Sequence, residues 1–168
     1  KMEHKTPEYK KIAPNSRIPA LELDDGEIIL ETTAICRYLE YIHPIPNLFG
    51  ENAMEIAQIE MWYSRVSFEL MLPLMHGFRH THPHMSALEH QNNEFGLAQR
   101  ELAIKSLKYY EEVIAEKEFV ACDKFSYADI QMTVSLQFLV RLNRIDINDY
   151  TNLSKYISNI SARPSFSV

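Results

Sequence analysis

Two patterns of hydrophobic spacing divide the chain near residue 50, and the first has the period of a β-strand. Apolar and polar residues alternate over Ala20–Leu23, and a second strand-like run follows at Glu27–Glu31. Asp24-Asp25-Gly26 lies between the two runs, and glycine adopts positive φ without steric cost. The pattern therefore predicts a β-hairpin.

A helix is predicted directly after this hairpin. Thr32 is a residue type that caps helices, and the three apolar residues Ile35, Leu39 and Ile42 fall on one helical face. His43-Pro44-Ile45-Pro46 follows and should stop the helix, because two prolines occur within three residues. We interpret residues 44–51 as a linker.

Beyond the linker the hydrophobic period becomes 3.6 residues, which predicts a helical body. Pro73 should kink or end the first of its helices. Two apolar stripes carry the prediction, one formed by Ile56, Ile59, Tyr63, Val66 and Leu70, the other by Ala103, Leu107, Tyr110 and Ile114. The second stripe faces away from a charged row that we interpret as solvated, formed by Glu101, Lys105, Lys108 and Glu112.

Ser126 and Asp129 have the spacing of a capping box, in which the two residues satisfy each other's backbone amides at a helix start. The helix should continue through Met132, Leu136, Leu139 and Val140. A last helix is predicted from about Leu153 through Ile160, ending before Arg163-Pro164.

Composition narrows the classes of function. The chain has 168 residues, 46% of them hydrophobic, and a formal net charge of −6. An acidic protein is not attracted to phosphate backbones or anionic lipid, so we expect no nucleic-acid or membrane partner. With two cysteines, no apolar run long enough to span a bilayer and no signal-peptide pattern at its start, the sequence favours a reducing, cytoplasmic setting.

One candidate binding site lies at the two outer ends of the predicted hairpin. If the Ile18–Pro19 bond is cis, the backbone N–H and C=O of Ile18 face outward and can pair with an extended peptide. Glu31 offers a carboxylate to an ammonium group, and Thr32 offers a hydroxyl and helix N-terminal amides to a carboxylate. Such a site would hold a zwitterion. Spacing alone favours an ordinary proline at a strand start and an ordinary helix cap, because cis X–Pro bonds are uncommon.

Two other groups of residues give weaker evidence for a functional site. His76, His80, His82 and His84 lie close in sequence, but no Cys, Asp or Glu joins them with metal-ligand spacing, so solvated or partly buried histidines are favoured over a metal site. Cys36 and Cys122 lack a Cys-x-x-Cys spacing and a nearby histidine, which favours structural roles.

These motifs occur in an order that resembles the glutathione S-transferases. The similarity runs through Glu3–Tyr9, Pro14–Leu21, Asp25-Gly26, Leu30–Thr32, Ala34–Leu39 and Phe119–Ile130, and extends to Ala162-Arg163-Pro164-Ser165. It implies an α+β fold: the C-terminal half of a thioredoxin-like domain (residues 1–43), the linker at 44–51 and an all-helical domain (residues 52–168).

The resemblance also implies a function and a ligand. It implies conjugation of the thiol of glutathione, as co-substrate, to small hydrophobic electrophiles, a detoxification reaction performed by a cytoplasmic homodimer and needing no metal. Ile18, beside the cis Pro19, would pair with the cysteinyl moiety, and Glu31 and Thr32 would hold the γ-glutamyl end. The glycyl carboxylate would be met by His4, Lys5 and Arg17. The helix over residues 32–42 and the long helix around Trp62 are the expected dimer surfaces.

The chain departs from the family pattern at its beginning. It opens after the first strand, first helix and second strand, about 45 residues by fold analogy, which supply the usual Tyr, Ser or Cys that activates the thiol. We therefore interpret it as part of a longer protein. Cys122 stands where the family usually has glycine, at a cost of about 1 kcal/mol if that position requires positive φ.

Gly77–Pro83 resembles a bacterial and fungal branch in which a serine and a histidine of the helical domain assist the thiol. His80 and Ser86 are the nearest candidates for catalysis, and His80 is alternatively a residue that lines the substrate pocket or faces solvent. The same fold also occurs as a non-catalytic scaffold for protein interactions, which is the competing hypothesis.

Overall fold

The computed structural model describes residues 2–166 and contains a two-stranded sheet and a set of helices in two compact units, one up to Leu48 and one from Phe49 onward. The first unit contains a 3-10 helix (Glu3–Lys5), α1 (Pro7–Ile12), β1 (Ala20–Glu22), β2 (Ile28–Leu30) and α2 (Thr32–Ile42). The second contains α3 (Ala53–Arg65), a π-helix (Val66–Met71), α4 (Leu72–Thr81), a 3-10 helix (Pro83–Met85), α5 (Asn93–Ile114), α6 (Tyr127–Arg141), α7 (Thr151–Ser161) and a 3-10 helix (Pro164–Phe166). The predicted α+β class is confirmed.

The predicted hairpin is present. β1 and β2 pair antiparallel, with Ala20 opposite Leu30 and Glu22 opposite Ile28. Gly26 closes the turn at φ +86°, and the backbone N–H of Leu23 donates to the carbonyl oxygen of Glu27 at 2.9 Å. Positive φ at Gly26 is the reason that the Asp-Gly pair predicted the turn correctly.

The start of α2 differs from the prediction. Glu31, at φ +69°, occupies the N-cap position, and Thr32 is the first helical residue. The prediction of Thr32 as the cap is therefore wrong by one residue. The predicted apolar face is also only partly buried, because Ile35 is buried whereas Leu39 and Ile42 are exposed.

The α1 helix is a feature that the hydrophobic pattern did not predict. It begins with a cap, in which the hydroxyl oxygen of Thr6 accepts from the N–H of Tyr9 at 3.3 Å, and Pro7 occupies its first turn. With six residues, α1 is too short to show a helical period.

The long helix of the second unit passes through the position where Pro73 was expected to kink or end it. The segment α3–π–α4 runs from Ala53 to Thr81, and Pro73 lies buried in the first turn of α4. The N–H of Leu72 donates to the carbonyl oxygen of Ser67, five residues back, which forms a π-turn. This turn accommodates Pro73, which has no backbone N–H to donate, without ending the helix.

The core of the helical unit lies between this long helix, α5, α6 and α7, with α4 packed along α5. All four residues of the predicted α5 stripe are buried and the charged row opposite is exposed. In the other predicted stripes, Ile56 and Val140 are exposed, at 43% and 39%. Six other residues of those stripes are fully buried: Ile59, Val66, Leu70, Met132, Leu136 and Leu139.

The capping box at the start of α6 is confirmed. Asp129 is fully buried, and one of its carboxylate oxygens accepts from both the N–H and the hydroxyl of Ser126, each at 2.8 Å. The helix α7, Thr151–Ser161, begins about two residues before the predicted start at Leu153. Within the described residues, no helix is both long and apolar enough to cross a membrane.

Candidate functional site

The open end of the hairpin brings together the residues predicted to hold a zwitterion. Because Ala20 pairs with Leu30, Pro19 and Glu31 are the next residues outward on the two strands. Ile18 and Thr32 follow at the same end, so both halves of the predicted site lie on one edge of the first unit.

The Ile18–Pro19 peptide bond is cis, as predicted. The side chain of Ile18 is 70% exposed, and within residues 2–166 neither its N–H nor its C=O has a hydrogen-bond partner. An unpaired, accessible backbone of this kind is what an extended peptide requires for strand-like pairing.

Glu31 combines an exposed side chain with an unusual backbone. Its φ of +69° lies in the left-handed region, where a residue with a Cβ is disfavoured by about 1 kcal/mol. Its carboxylate does not cap α2, although its carbonyl oxygen accepts from the N–H of Ile35 at 3.0 Å. The acid is therefore directed to solvent, and the positive end of the α2 dipole lies beside it.

Three basic residues were also predicted for this site. His4 and Lys5 form the end of the first 3-10 helix, where His4 is half-buried and Lys5 is exposed. Arg17 is exposed and directly precedes the Ile18–Pro19 bond. Together with Glu31 they give the first unit both signs of charge that a zwitterion needs.

Tyr9 makes a contact beside the candidate site that the sequence did not reveal. Its phenolic O–H donates to the carbonyl oxygen of Arg17 at 2.8 Å, which ties α1 to the segment before Pro19. The backbone N–H of Arg17 donates to the side chain of Asn15 at 3.2 Å. A contact over eight residues has no periodic signature, so only the fold could show it.

His80 lies where α4 meets the start of α5. Its Nδ1 accepts from the backbone N–H of Asn92 at 3.1 Å, and its ring meets the edge of Phe95 at 5.1 Å between centroids. Because Nδ1 is an acceptor, the neutral ring carries its proton on Nε2. The half-buried imidazole can therefore donate a hydrogen bond from Nε2 but cannot accept a proton there.

Ser86 ends the short 3-10 helix that follows α4. It is exposed, and its hydroxyl donates to the carbonyl oxygen of Pro83 at 2.8 Å. Among the described residues, no hydrogen bond joins His80 and Ser86. Their predicted catalytic role remains a prediction.

The other histidines and the two cysteines form no further site of this kind. Among residues 2–166, no three His, Cys, Asp or Glu side chains lie together in a way that could hold a metal ion. Cys122 is half-buried, and burial raises the pKa of its thiol, which lowers its thiolate content at neutral pH. Cys122 is not among the described residues with positive φ, so the cost expected for replacing glycine does not arise.

Family models and known proteins match nearly the whole chain. The family model described as the glutathione S-transferase N-terminal domain matches residues 1–42, and the model for the C-terminal domain matches residues 65–164. Glutathione S-transferase 2 of Saccharomyces cerevisiae is 35% identical over 98% of this chain and 72% of its own length. The crystal structure of Gtt2 from the same yeast superposes with a TM-score of 0.87 at 33% identity, covering 98% of this chain and 80% of that one.

A more distant relative belongs to a different class of protein. A probable elongation factor 1-gamma of Arabidopsis thaliana is 23% identical over 97% of this chain, which spans 39% of that protein. The match to both domain models and the identity to the yeast enzyme over nearly all of the chain decide the family. The chain belongs to the glutathione S-transferase family.

Proposed function

We propose that this protein is a glutathione transferase that joins the thiol of glutathione to small hydrophobic electrophiles. The observation that carries the proposal is the arrangement at the open end of the hairpin. There an exposed, unpaired backbone at Ile18 lies on the same edge as the free carboxylate of Glu31 and the helix start at Thr32.

Each part of glutathione meets a complementary group in this proposal. The backbone of Ile18 pairs with the cysteinyl residue, and the Glu31 carboxylate accepts hydrogen bonds from the γ-glutamyl ammonium group. The Thr32 hydroxyl and the positive end of the α2 dipole hold the γ-glutamyl carboxylate. His4, Lys5 and Arg17 attract the glycyl carboxylate.

The reaction is nucleophilic attack by the glutathione sulfur. The thiol loses its proton to solvent, the thiolate forms a sulfur–carbon bond with the electrophile, and the leaving group departs with the bonding electrons or, in an addition, the carbon skeleton takes up a proton. In the proposed role of His80, its Nε2–H donates a hydrogen bond, directly or through water, that stabilises the thiolate. Ser86 becomes a second donor when its hydroxyl turns away from the carbonyl oxygen of Pro83. The electrophile packs against apolar side chains of the helical unit.

Two further features belong to the proposal. A cytoplasmic location fits two free cysteines in a chain without a membrane-crossing helix among its described residues. A homodimer fits the exposed apolar side chains of α2, among which Tyr41 is 87% exposed. Trp62 itself is buried, so the second expected dimer surface would use exposed neighbours on that helix such as Phe68.

Retention of the full-length protein on immobilised glutathione tests the binding site. We expect wild type to be retained and Glu31→Ala to be lost, because the ammonium group then has no counter-charge. Glu31→Gly separates folding from binding, because glycine suits a φ of +69°. The free energy of unfolding of this variant should be about 1 kcal/mol higher than that of Glu31→Ala. It should still not be retained on glutathione.

Glu22→Ala is the matched control, because Glu22 is an exposed acid at the opposite end of the same hairpin. Equal loss of retention in Glu22→Ala and Glu31→Ala would contradict the site. Thiol conjugation assayed with residues 1–168 alone shows whether these residues suffice for activity.

A second candidate function is a non-catalytic scaffold for protein interactions, and the relationship to elongation factor 1-gamma favours it. A scaffold does not need Lys5, Ile18, Glu31 and Thr32 together, whereas this chain has all four. Folded full-length protein that is not retained on glutathione and has no conjugating activity would support the scaffold.

A further inference from the structure

An open-sided cavity of about 310 Å³ lies at the surface of the helical unit, between the end of α4, the first half of α5 and the loop after α6. Three of its lining side chains are basic, those of His82, Arg100 and Arg144, and no Asp or Glu is among the described residues that line it. In a chain of net charge −6, a cavity with basic groups alone is a local reversal of sign. It favours an anionic ligand.

Arg100 is held in place before any ligand arrives. Its aliphatic stem crosses α4 at Gly77, where an added Cβ would lie 2.4 Å from the Cγ of Arg100. Its guanidinium donates to the backbone carbonyl oxygen of Asn143 at 2.8 Å, which leaves further N–H groups for a second acceptor. The close contact with a glycine and the hydrogen bond together fix the direction of the charge.

Arg144 occupies a backbone position that suits glycine or asparagine. Its φ is +53°, in the loop that is closed by the N–H of Ile145 donating to the carbonyl oxygen of Leu139 at 3.2 Å. A strained residue whose side chain lines a cavity is a reason to look for function there. Within residues 2–166, neither Arg144 nor Arg100 forms an ion pair with a carboxylate.

The acids nearest in sequence have other partners. Glu101 pairs with Lys105, Glu89 pairs with Arg79, and Asp146 accepts from Asn148. The charges of Arg100 and Arg144 are therefore not neutralised by these carboxylates and can attract an anionic ligand.

The rest of the cavity wall is mainly aromatic and apolar, with Thr81 and Asn143 as its uncharged polar residues. The rings of Phe78 and His82 stack at 4.6 Å between centroids, and Leu142 and Pro83 contribute apolar surface. Nδ1 of His82 accepts from the N–H of His84 at 3.3 Å, so the neutral ring presents an N–H at Nε2. The carbonyl oxygens at the ends of α4 and α6 are already bonded, that of Phe78 to the N–H of His82 and that of Phe138 to the N–H of Leu142.

We propose that this cavity binds a small carboxylate that carries an aromatic ring. The ring packs against the wall formed by Phe78 and Leu142, and the carboxylate accepts hydrogen bonds from Arg100, Arg144 and His82. The site consists of residues of the helical unit alone and does not depend on the proposed glutathione site.

Calorimetric titration of the full-length protein with 2-naphthoate, and with neutral 2-naphthamide, tests the proposal. The acid should bind at least tenfold more tightly than the amide. Arg100→Met and Arg144→Gly should each weaken binding of the acid about tenfold, because each removes one charged donor. Arg144→Gly should also raise the Tm by about 2 °C, since glycine relieves the positive φ, so its loss of binding cannot come from unfolding.

Arg141→Gln is the matched control, because Arg141 is an exposed cation at the end of α6 that does not line the cavity. Its affinity for 2-naphthoate should equal that of wild type. No binding of 2-naphthoate, equal affinity for acid and amide, unchanged affinity in both cavity variants, or displacement of 2-naphthoate by saturating S-hexylglutathione overturns the proposal.

Discussion

At the scale of single residues, Asp129 connects three parts of the helical unit. One oxygen of its buried carboxylate accepts from the N–H of Val120 and the O–H of Tyr156, both at 2.7 Å, and the other accepts twice from Ser126. All four donors approach a side chain with no exposed surface. A buried charge of this kind is tolerated only while its hydrogen bonds are complete.

We therefore expect Asp129→Asn to lower the free energy of unfolding by about 3 kcal/mol or more, because the amide replaces one acceptor oxygen with donors. Urea unfolding followed by circular dichroism measures the change. Asp123→Asn, at an exposed neighbouring position, is the control and should change stability by less than about 0.5 kcal/mol. Similar values for the two variants would show that the buried network is weak.

Tyr156 gives the same network a pH dependence. Burial, the nearby Asp129 carboxylate and the hydrogen bond to it raise the pKa of the Tyr156 phenol well above its ordinary value of about 10. The unfolded chain then loses this proton first, so stability is retained below pH 10 and falls as the pH rises above it, by up to about 1.4 kcal/mol per pH unit.

Tyr156→Phe should lower the free energy of unfolding by about 1–2 kcal/mol at pH 7, and this difference should shrink above pH 10. Urea unfolding at pH 7 to 11 measures both effects. Tyr41→Phe, at a side chain that is 87% exposed, should follow wild type at every pH. A constant difference between wild type and Tyr156→Phe across this range would contradict the assigned cause.

At the scale of elements, the helices and the hairpin were predictable where a local pattern determines them. The α5 stripe, the Asp-Gly turn and the Ser126–Asp129 box each act through residues close in sequence. Exposure of Leu39 and Ile56 was not predictable, since a stripe shows which face is apolar but not whether another element covers it. The π-turn before Pro73 and the cap at Glu31 depend on backbone geometry that no residue type dictates.

The residues of the candidate site likewise differ in whether the sequence could predict them. Ile18, Pro19, Glu31 and Thr32 were found because strand register and helix start place them together. Tyr9 was missed, and so was the cavity around Arg100, because the contacts involved have no periodic signature in the sequence. The orientation of the His80 ring likewise follows from its bond to Asn92, twelve residues away.

The packing of α4 on α5 leads to a prediction at Gly77. An added Cβ would meet the Cγ of Arg100 at 2.4 Å, so Gly77→Ala should destabilise the protein by about 1–3 kcal/mol, although alanine favours helix. Chemical unfolding measures this change.

Repeating the substitution in Arg100→Ala supplies the control, because that variant lacks the Cγ atom. There Gly77→Ala should be neutral or stabilising by up to about 1 kcal/mol. Equal destabilisation in both backgrounds would rule out the side-chain contact as the cause.

At the scale of the whole molecule, the two units differ in how much apolar surface they bury. Within the described residues of the first unit, the buried side chains are those of Ala13, Ser16 and Ile35. The helical unit instead has a continuous core of large side chains on four long segments. A two-stranded hairpin with so small a core is marginal by itself.

We expect residues 49–168 to fold when expressed alone, with cooperative thermal unfolding and strong helical circular dichroism. Residues 1–48 alone should show little ordered structure by the same measurements. Cooperative folding of the 1–48 peptide, or an unfolded 49–168 fragment, would contradict this division of stability.

Trp62 is the only tryptophan of the chain, and it lies buried in the helical unit with Arg65 and Lys117 each 5.2 Å from its ring centre. Excitation at 295 nm therefore reports on that unit alone, and the hairpin contributes nothing to the emission. A fluorescence denaturation curve will follow the helices faithfully while leaving the candidate glutathione site unobserved. An optical probe for that site has to be introduced, for example by placing a second indole at exposed Tyr41.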